Sequence, residues 1–161
     1  MLPFLGGERS TGFRVGASGC LSGITRETTP ADIMYACLES VTLRLCAIIK
    51  LLTNVGSDGE GEHVLVTSGN ALERNQLWRQ MLADCSGIEL VVDGDSNEGT
   101  SRGVALLIAK KLDRECNEEE PLVVLHQSVP NLNAENQWSN AAHTQENLIS
   151  ALAPSWEGNV T

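Results

Sequence analysis

The chain has 161 residues, of which 42% are hydrophobic and 20% charged, and 21 acidic against 11 basic side chains leave a net charge of −10. That length gives one domain with a substantial core. An acidic surface with no basic stripe excludes a binder of nucleic-acid phosphates, and no run reaches the roughly 18 apolar residues of a membrane span.

Residues 1–29 are rich in Gly, Ser, Thr and Arg and read as loop with one or two short strands around "GCLSGI". A long helix follows. Thr29 is a good N-cap, Pro30 suits the first helical position, and Asp32 completes a Thr-x-x-Asp capping box. Ile33, Cys37, Val41, Leu45, Ile48 and Leu52 recur at three- and four-residue spacing and predict one buried stripe. The acidic, Gly-rich "NVGSDGEGE" ends it.

From there the pattern alternates. "HVLVTS" (63–68) predicts a strand, and residues 71–85 a helix burying Leu77, Trp78, Met81 and Leu82. "IELVVD" (88–93) predicts a second strand and residues 99–116 another helix. After "NEEEP" come the apolar run "LVVLHQSV" and a last helix from about Ala134 to Leu152, carrying Trp138, Ala142, Leu148 and Leu152. Strands alternating with helices of this length imply an α/β layer architecture. The cysteines Cys20, Cys37, Cys46, Cys85 and Cys116 are scattered and never in a CxxC, which predicts reduced thiols in a cytosol-like compartment. The N-terminus lacks the charged-then-apolar order of a signal peptide.

The familiar phosphate-binding signatures GxxxxGK[ST] and GxGxxG are absent. "DGDSNEG" (93–99) is a polar turn and not a calcium loop, because Glu98 stands where such a loop needs glycine and Val104 where it needs a bidentate Glu. His63, His126 and His143 have no metal-ligand spacing, and no serine sits in a nucleophile elbow. Two strand-turn-helix units remain. At residues 67–71 the turn is Thr-Ser-Gly-Asn-Ala, small enough for a ligand to approach the backbone. Gly69 permits positive φ, and Asn70 tolerates the left-handed region better than most residues. A helix starting there suits an anion or nucleotide, although any α/β protein needs such turns without a ligand. In the second unit, residues 98–103, Gly103 permits close helix packing.

Taken in order, these segments resemble the C-terminal domain of the FGGY carbohydrate kinases. "LPFLGGERSTGF" (2–13) is similar to the family's Gly-Glu-Arg segment. Residues 19–40 resemble its signature through Gly19, Leu21, Gly23, Ile24, Asp32, Ile33, Ala36, Leu38 and Glu39, with Cys37 departing. "TSGNALERNQLWRQMLAD" resembles the adenine-binding turn, in a form close to gluconate-kinase-like members. "EGTSRGVALL" (98–107) resembles the Glu-Ala-x-x-x-Gly-Ala-Ala segment, and "SVPNLNAENQW" the usual ending.

The resemblance implies one domain over 1–161 with the actin-like, ribonuclease-H-like ATPase fold, a mixed sheet flanked by helices. It implies transfer of the ATP γ-phosphoryl group to a hydroxyl of a sugar or sugar acid, with Mg²⁺ arriving with the nucleotide. Ser68, Gly69, Asn70 and Ala71 would lie against the nucleotide, and Asn75 would face the adenine edge. No residue of this chain is a catalytic or metal-ligand candidate, since the family's catalytic aspartate, first phosphate hairpin and most sugar contacts belong to an N-terminal domain. That domain is the expected partner, and the chain alone is expected to be inactive. A cytoplasmic location and a homodimer through an exposed apolar patch are also expected. The alternative is a non-catalytic interaction domain of the same fold. Asn70 departs from the family's second glycine, which is tolerable if the position needs positive φ and costly if it needs an absent side chain.

Overall fold

Thr29 begins the longest element as the capping residues require. A computed structural model describes residues 1–55, 63–94, 99–112 and 123–157. In it Thr29 N–H donates to Asp32 Oδ2 (2.8 Å), and Asp32 N–H donates back to Thr29 Oγ1 (3.2 Å), closing the box at the start of α1 (Pro30–Val55). The bond from the Thr29 backbone, joined by its hydroxyl, holds the Asp32 carboxyl below its ordinary range. A carboxylate with a lowered folded-state pKa contributes stability that is complete above its unfolded pKa and lost as pH falls through the folded value. We therefore expect Asp32→Asn to narrow its stability gap from the parent chain as pH drops below about 4, in urea titrations run at successive pH values.

The buried face of α1 differs from the predicted stripe. Ser40, Thr42, Leu43 and Cys46 are the buried positions, while Ile33, Cys37, Val41, Leu45 and Ile48 are half-buried and Leu52 is 68% exposed. Two of the buried residues are polar. Ser40 Oγ donates to the Cys37 carbonyl and Thr42 Oγ1 to the Leu38 carbonyl, both at 2.8 Å, so each hydroxyl is satisfied within the helix and can be buried. A stripe counted on apolar residues misses them.

The sheet has three strands in the order β1 (Val64–Thr67), β2 (Glu89–Asp93), β3 (Val124–Ser128). β1 runs parallel to β2, pairing Leu65 with Leu90 and Thr67 with Val92. β3 is antiparallel to β2, with an irregularity between Val92 and Asp93. Side chains alternate across a strand, so Leu65, Leu90 and Val92 share one face, and they pack with Leu82, Ala83 and Cys46 from the helices. This mixed sheet flanked by helices is the expected α/β arrangement.

The helix expected over 71–85 is two helices, α2 (Asn70–Glu73) and α3 (Gln76–Ser86). α4 spans Gly99–Lys111, and Gly103 there faces open space instead of a packed neighbour. A 3₁₀ turn at Leu132–Ala134 leads into α5 (Glu135–Glu157), which continues through Pro154 and past the predicted end at Leu152. The reward for that extension is Trp156, 4% exposed, whose ring meets Phe4 edge-on at 5.9 Å within a cluster of Leu2, Phe4, Ala17 and Ile149. In the N-terminal segment the short strands reduce to single bridges, Leu2 with Cys20 and Leu5 with Gly7.

Glu8 fastens that segment to the helices. Its buried carboxylate accepts from Arg14 Nη1 at 3.0 Å and from Arg44 Nη2 of α1 at 2.5 Å. Arg44 also donates to Glu146 of α5 (3.1 Å) and stacks over Phe4, 5.5 Å from the ring centre.

Candidate nucleotide-binding turn

The chain leaves β1 at Thr67, whose hydroxyl donates to the Val91 carbonyl of β2 (3.1 Å) and fixes the strand end. Gly69 then takes φ 96° and ψ 150° and its carbonyl accepts from Glu73 N–H (3.2 Å), opening α2. That backbone region is all but reserved for glycine. A Cβ there would meet no atom of the described residues within 4 Å, its chain neighbours aside, so conformation and not crowding by them demands the glycine. Asn70 is the first residue of α2, and the only non-glycine residues with positive φ among those described are Thr11 and Phe13. The unusual backbone therefore falls on Gly69, and Asn70 is not called upon to adopt it.

No side chain caps α2. The N–H groups that begin a helix have no carbonyl a turn earlier; here they are those of Asn70, Ala71 and Leu72, next to the exposed side chains of Ser68, Asn70 and Ala71. The chain then turns through Arg74 and restarts at Asn75, whose Oδ1 accepts from Trp78 N–H (3.0 Å) as N-cap of α3. Asn75 is thus fixed in rotamer and placed directly after the one-turn helix. Trp78 Nε1 donates to Thr42 Oγ1 of α1 (3.0 Å), seating α3 on the long helix. Met81 and Leu82 are buried as expected, but Leu77 is 51% exposed, because the break at Asn75 rotates the start of α3 away from the predicted stripe.

Sequence reasoning missed Arg79. It is 6% exposed, and its Nη1 donates to the carbonyls of Leu72 (2.6 Å) and Glu73 (2.5 Å), the open C-terminal end of α2. The only available signal was an arginine standing among the apolar positions Leu77, Trp78, Met81 and Leu82. Its Nε is buried without a partner. We expect Arg79→Met to take the Arg79 donor from the Glu73 carbonyl, to leave the Leu72 carbonyl only the long bond from Asn75 N–H (3.4 Å), and to cost about 2 kcal/mol, read as a lower urea midpoint with an unchanged slope. A midpoint equal to the parent's would refute the clamp.

A separate cleft of about 550 Å³ lies between α1, the end of α3 and the start of α5, lined by Cys46, Lys50, Asp84, Cys85, Trp138 and Gln145 among others. No residue from Ser68 to Asn75 reaches it. Among the described residues no cluster of three or more His, Cys, Asp or Glu could hold a metal ion, and no helix is long and apolar enough to cross a membrane.

The profile of the FGGY family of carbohydrate kinases, C-terminal domain, matches residues 1–112, which take in α1, the turn and α4. The chain belongs to the FGGY family of carbohydrate kinases. This FGGY chain is 33% identical over 129 residues to a xylulose kinase of Escherichia coli (strain K12), a match covering 80% of the chain and 25% of that protein. It is 32% identical over 105 residues to a gluconokinase of Bacillus licheniformis, covering 65% of the chain and 20% of that protein. A ligand-bound xylulose kinase from Lactobacillus acidophilus shares its fold, with a TM-score of 0.74, 20% identity, and coverage of 98% of this chain and 32% of that one. The FGGY chain thus spans a quarter or less of the length of these two curated relatives.

Proposed function

We propose that this chain is the nucleotide-binding part of an ATP-dependent sugar kinase that phosphorylates a hydroxyl of a sugar or sugar acid. The observation that carries this reading is the Gly69 turn. Its glycine-only backbone is uncrowded by the described residues and stands beside an uncapped helix start, in a chain of a carbohydrate-kinase family. Open amide donors and small side chains fit a nucleotide that is bound through backbone contacts. Ser68, Gly69, Asn70 and Ala71 would flank it, and Asn75 would offer its amide to the base. ATP supplies the phosphoryl group when bound, and Mg²⁺ would accompany its phosphates. What the chain itself contributes is a rigid seat. β1 and β2 fix the turn from one side and Arg79 holds α2 from the other, so little freedom is lost when a ligand docks.

An N-terminal domain carrying the acceptor-binding groups and the catalytic base would complete the enzyme, as in-line phosphoryl transfer requires. On this reading the whole span 1–161 works as one domain, in the cytoplasm, and is inactive alone. Val104, Leu107 and Ile108 lie exposed along one face of α4, and we assign that face to a homodimer contact. Light scattering is expected to give twice the mass of one chain, and a strict monomer at high concentration contradicts the assignment.

The test of the nucleotide reading is calorimetry of the chain with MgATP and MgADP. Saturable heat that is lost in Asn75→Ala supports it, and no heat at millimolar nucleotide overturns it. The kinase reading is tested on the protein that carries this chain, assayed for MgATP-dependent phosphorylation of xylulose, gluconate and a panel of other sugars. Nucleotide binding without phosphorylation of any acceptor favours the non-catalytic domain.

A further inference from the structure

Cys46 on α1 and Cys85 on α3 belong to one packed cluster and line the same cleft of about 550 Å³. Cys46 lies buried behind, whereas Cys85 is half-buried at the cleft wall, and both are free thiols. The two thiols are the strongest titratable influence on each other, and Lys50 lines the cleft beside them. Reactive thiols need a neighbouring donor or cation and an access route, and this pair has all three.

We propose that Cys46 and Cys85 form a redox dithiol that hydrogen peroxide converts into a disulfide joining α1 to α3. The neighbouring Cys46 thiol lowers the Cys85 thiol from its ordinary range, assisted by Lys50 and opposed by burial, Glu39 and Asp84. Cys85, together with burial, pushes the Cys46 thiol up in turn. Cys85, half-buried at the cleft wall where Cys46 is 3% exposed, is the sulfur that peroxide can reach and so the attacking one. Its thiolate attacks one oxygen of peroxide, the O–O bond breaks, and the departing hydroxide takes up a proton to leave as water. Cys85 is now a sulfenic acid. The Cys46 thiol loses its proton and attacks Cys85 Sγ, the S–O bond breaks, and the hydroxyl leaves with that proton as a second water. Two thiols are oxidised by two electrons and one peroxide is reduced to two waters. The new bond ties α3, which carries Asn75 at its head, to the long helix beneath it.

The first arm of the experiment uses the unaltered chain. The chain is exposed to peroxide in the native state, alkylated, and digested with trypsin without reductant. The expected product joins the peptide 45–50 to the peptide 80–102, about 2 Da lighter than the sum of the two. It forms roughly tenfold faster than any oxidation of Cys20 or Cys37. In Cys46→Ser a sulfenic acid should persist at Cys85 and be captured by dimedone, and Cys85→Ser should leave Cys46 reduced. The melting temperature of the oxidised parent should rise by about 5 °C or more. Peroxide that leaves both thiols alkylatable, or that oxidises Cys20 or Cys37 at the same rate, overturns the proposal.

Discussion

Replacing Gly69 with valine is expected to destabilise the chain by about 2–3 kcal/mol and to weaken MgADP binding by about tenfold. The cost is conformational. Apart from its chain neighbours, no atom of the described residues lies within 4 Å of where the new Cβ would sit, so collision with those residues contributes nothing. What valine cannot do is hold φ 96° with ψ 150°. Asparagine is a sharper comparison, because it enters the left-handed region near ψ 45° with ease but has no such advantage near 150°. Gly69→Asn should therefore approach the valine variant in urea denaturation. If it matches the parent chain in both stability and affinity, the backbone argument is wrong.

Glu8→Ala is the second change with a large expected effect, about 3 kcal/mol of stability. The carboxylate is 3% exposed and is the common acceptor for Arg14 and Arg44. Deleting it strips the largely buried Arg44 of its closest anion and leaves it Glu146, the Thr11 hydroxyl and the Ser10 carbonyl, while the more exposed Arg14 turns to water. A drop in melting temperature of about 6–12 °C corresponds to that loss for a chain of this size. Glu8→Gln, which keeps the shape and one acceptor oxygen, should lose less. The mechanism also predicts coupling. Arg44→Met should cost much less in the Glu8→Ala background than alone, and additive losses would show that the ion pair is not what holds the segment.

Much of this fold was legible because local chemistry and tertiary packing agree. The Thr29 to Asp32 box formed as read, and each of the three strands lies within a segment that the apolar pattern marked. The failures share a cause, which is polar groups doing structural tasks. Ser40 and Thr42 are buried by bonding back onto their own helix, so an apolar count set the face of α1 wrongly. Asn75 sits inside an unbroken helical period, and only its side-chain oxygen on Trp78 N–H shows that one helix ends and another begins. Proline ordinarily breaks a helix, yet α5 runs through Pro154 past the predicted end at Leu152 and buries Trp156. At the turn itself Ser68, Gly69, Asn70, Ala71 and Asn75 are candidates by likeness, and what the sequence offered physically was the glycine, which takes positive φ at 69. Arg79 was not read, since its place among the apolar positions is the one sign that separates an arginine clamping carbonyls from one in solvent.

The capping bond of Asn75 also limits what its amide can say to a ligand. Oδ1 gives one lone pair to Trp78 N–H and keeps the other, beside the two donors of the NH₂ end. The capping bond fixes the plane of the amide, so donor and acceptor are held in one orientation. On the proposed nucleotide reading, a base at Asn75 would meet both kinds of group at a set angle. Adenine and guanine each carry donors and acceptors on their edges, so a preference between them would come from that angle and from groups beside Asn75.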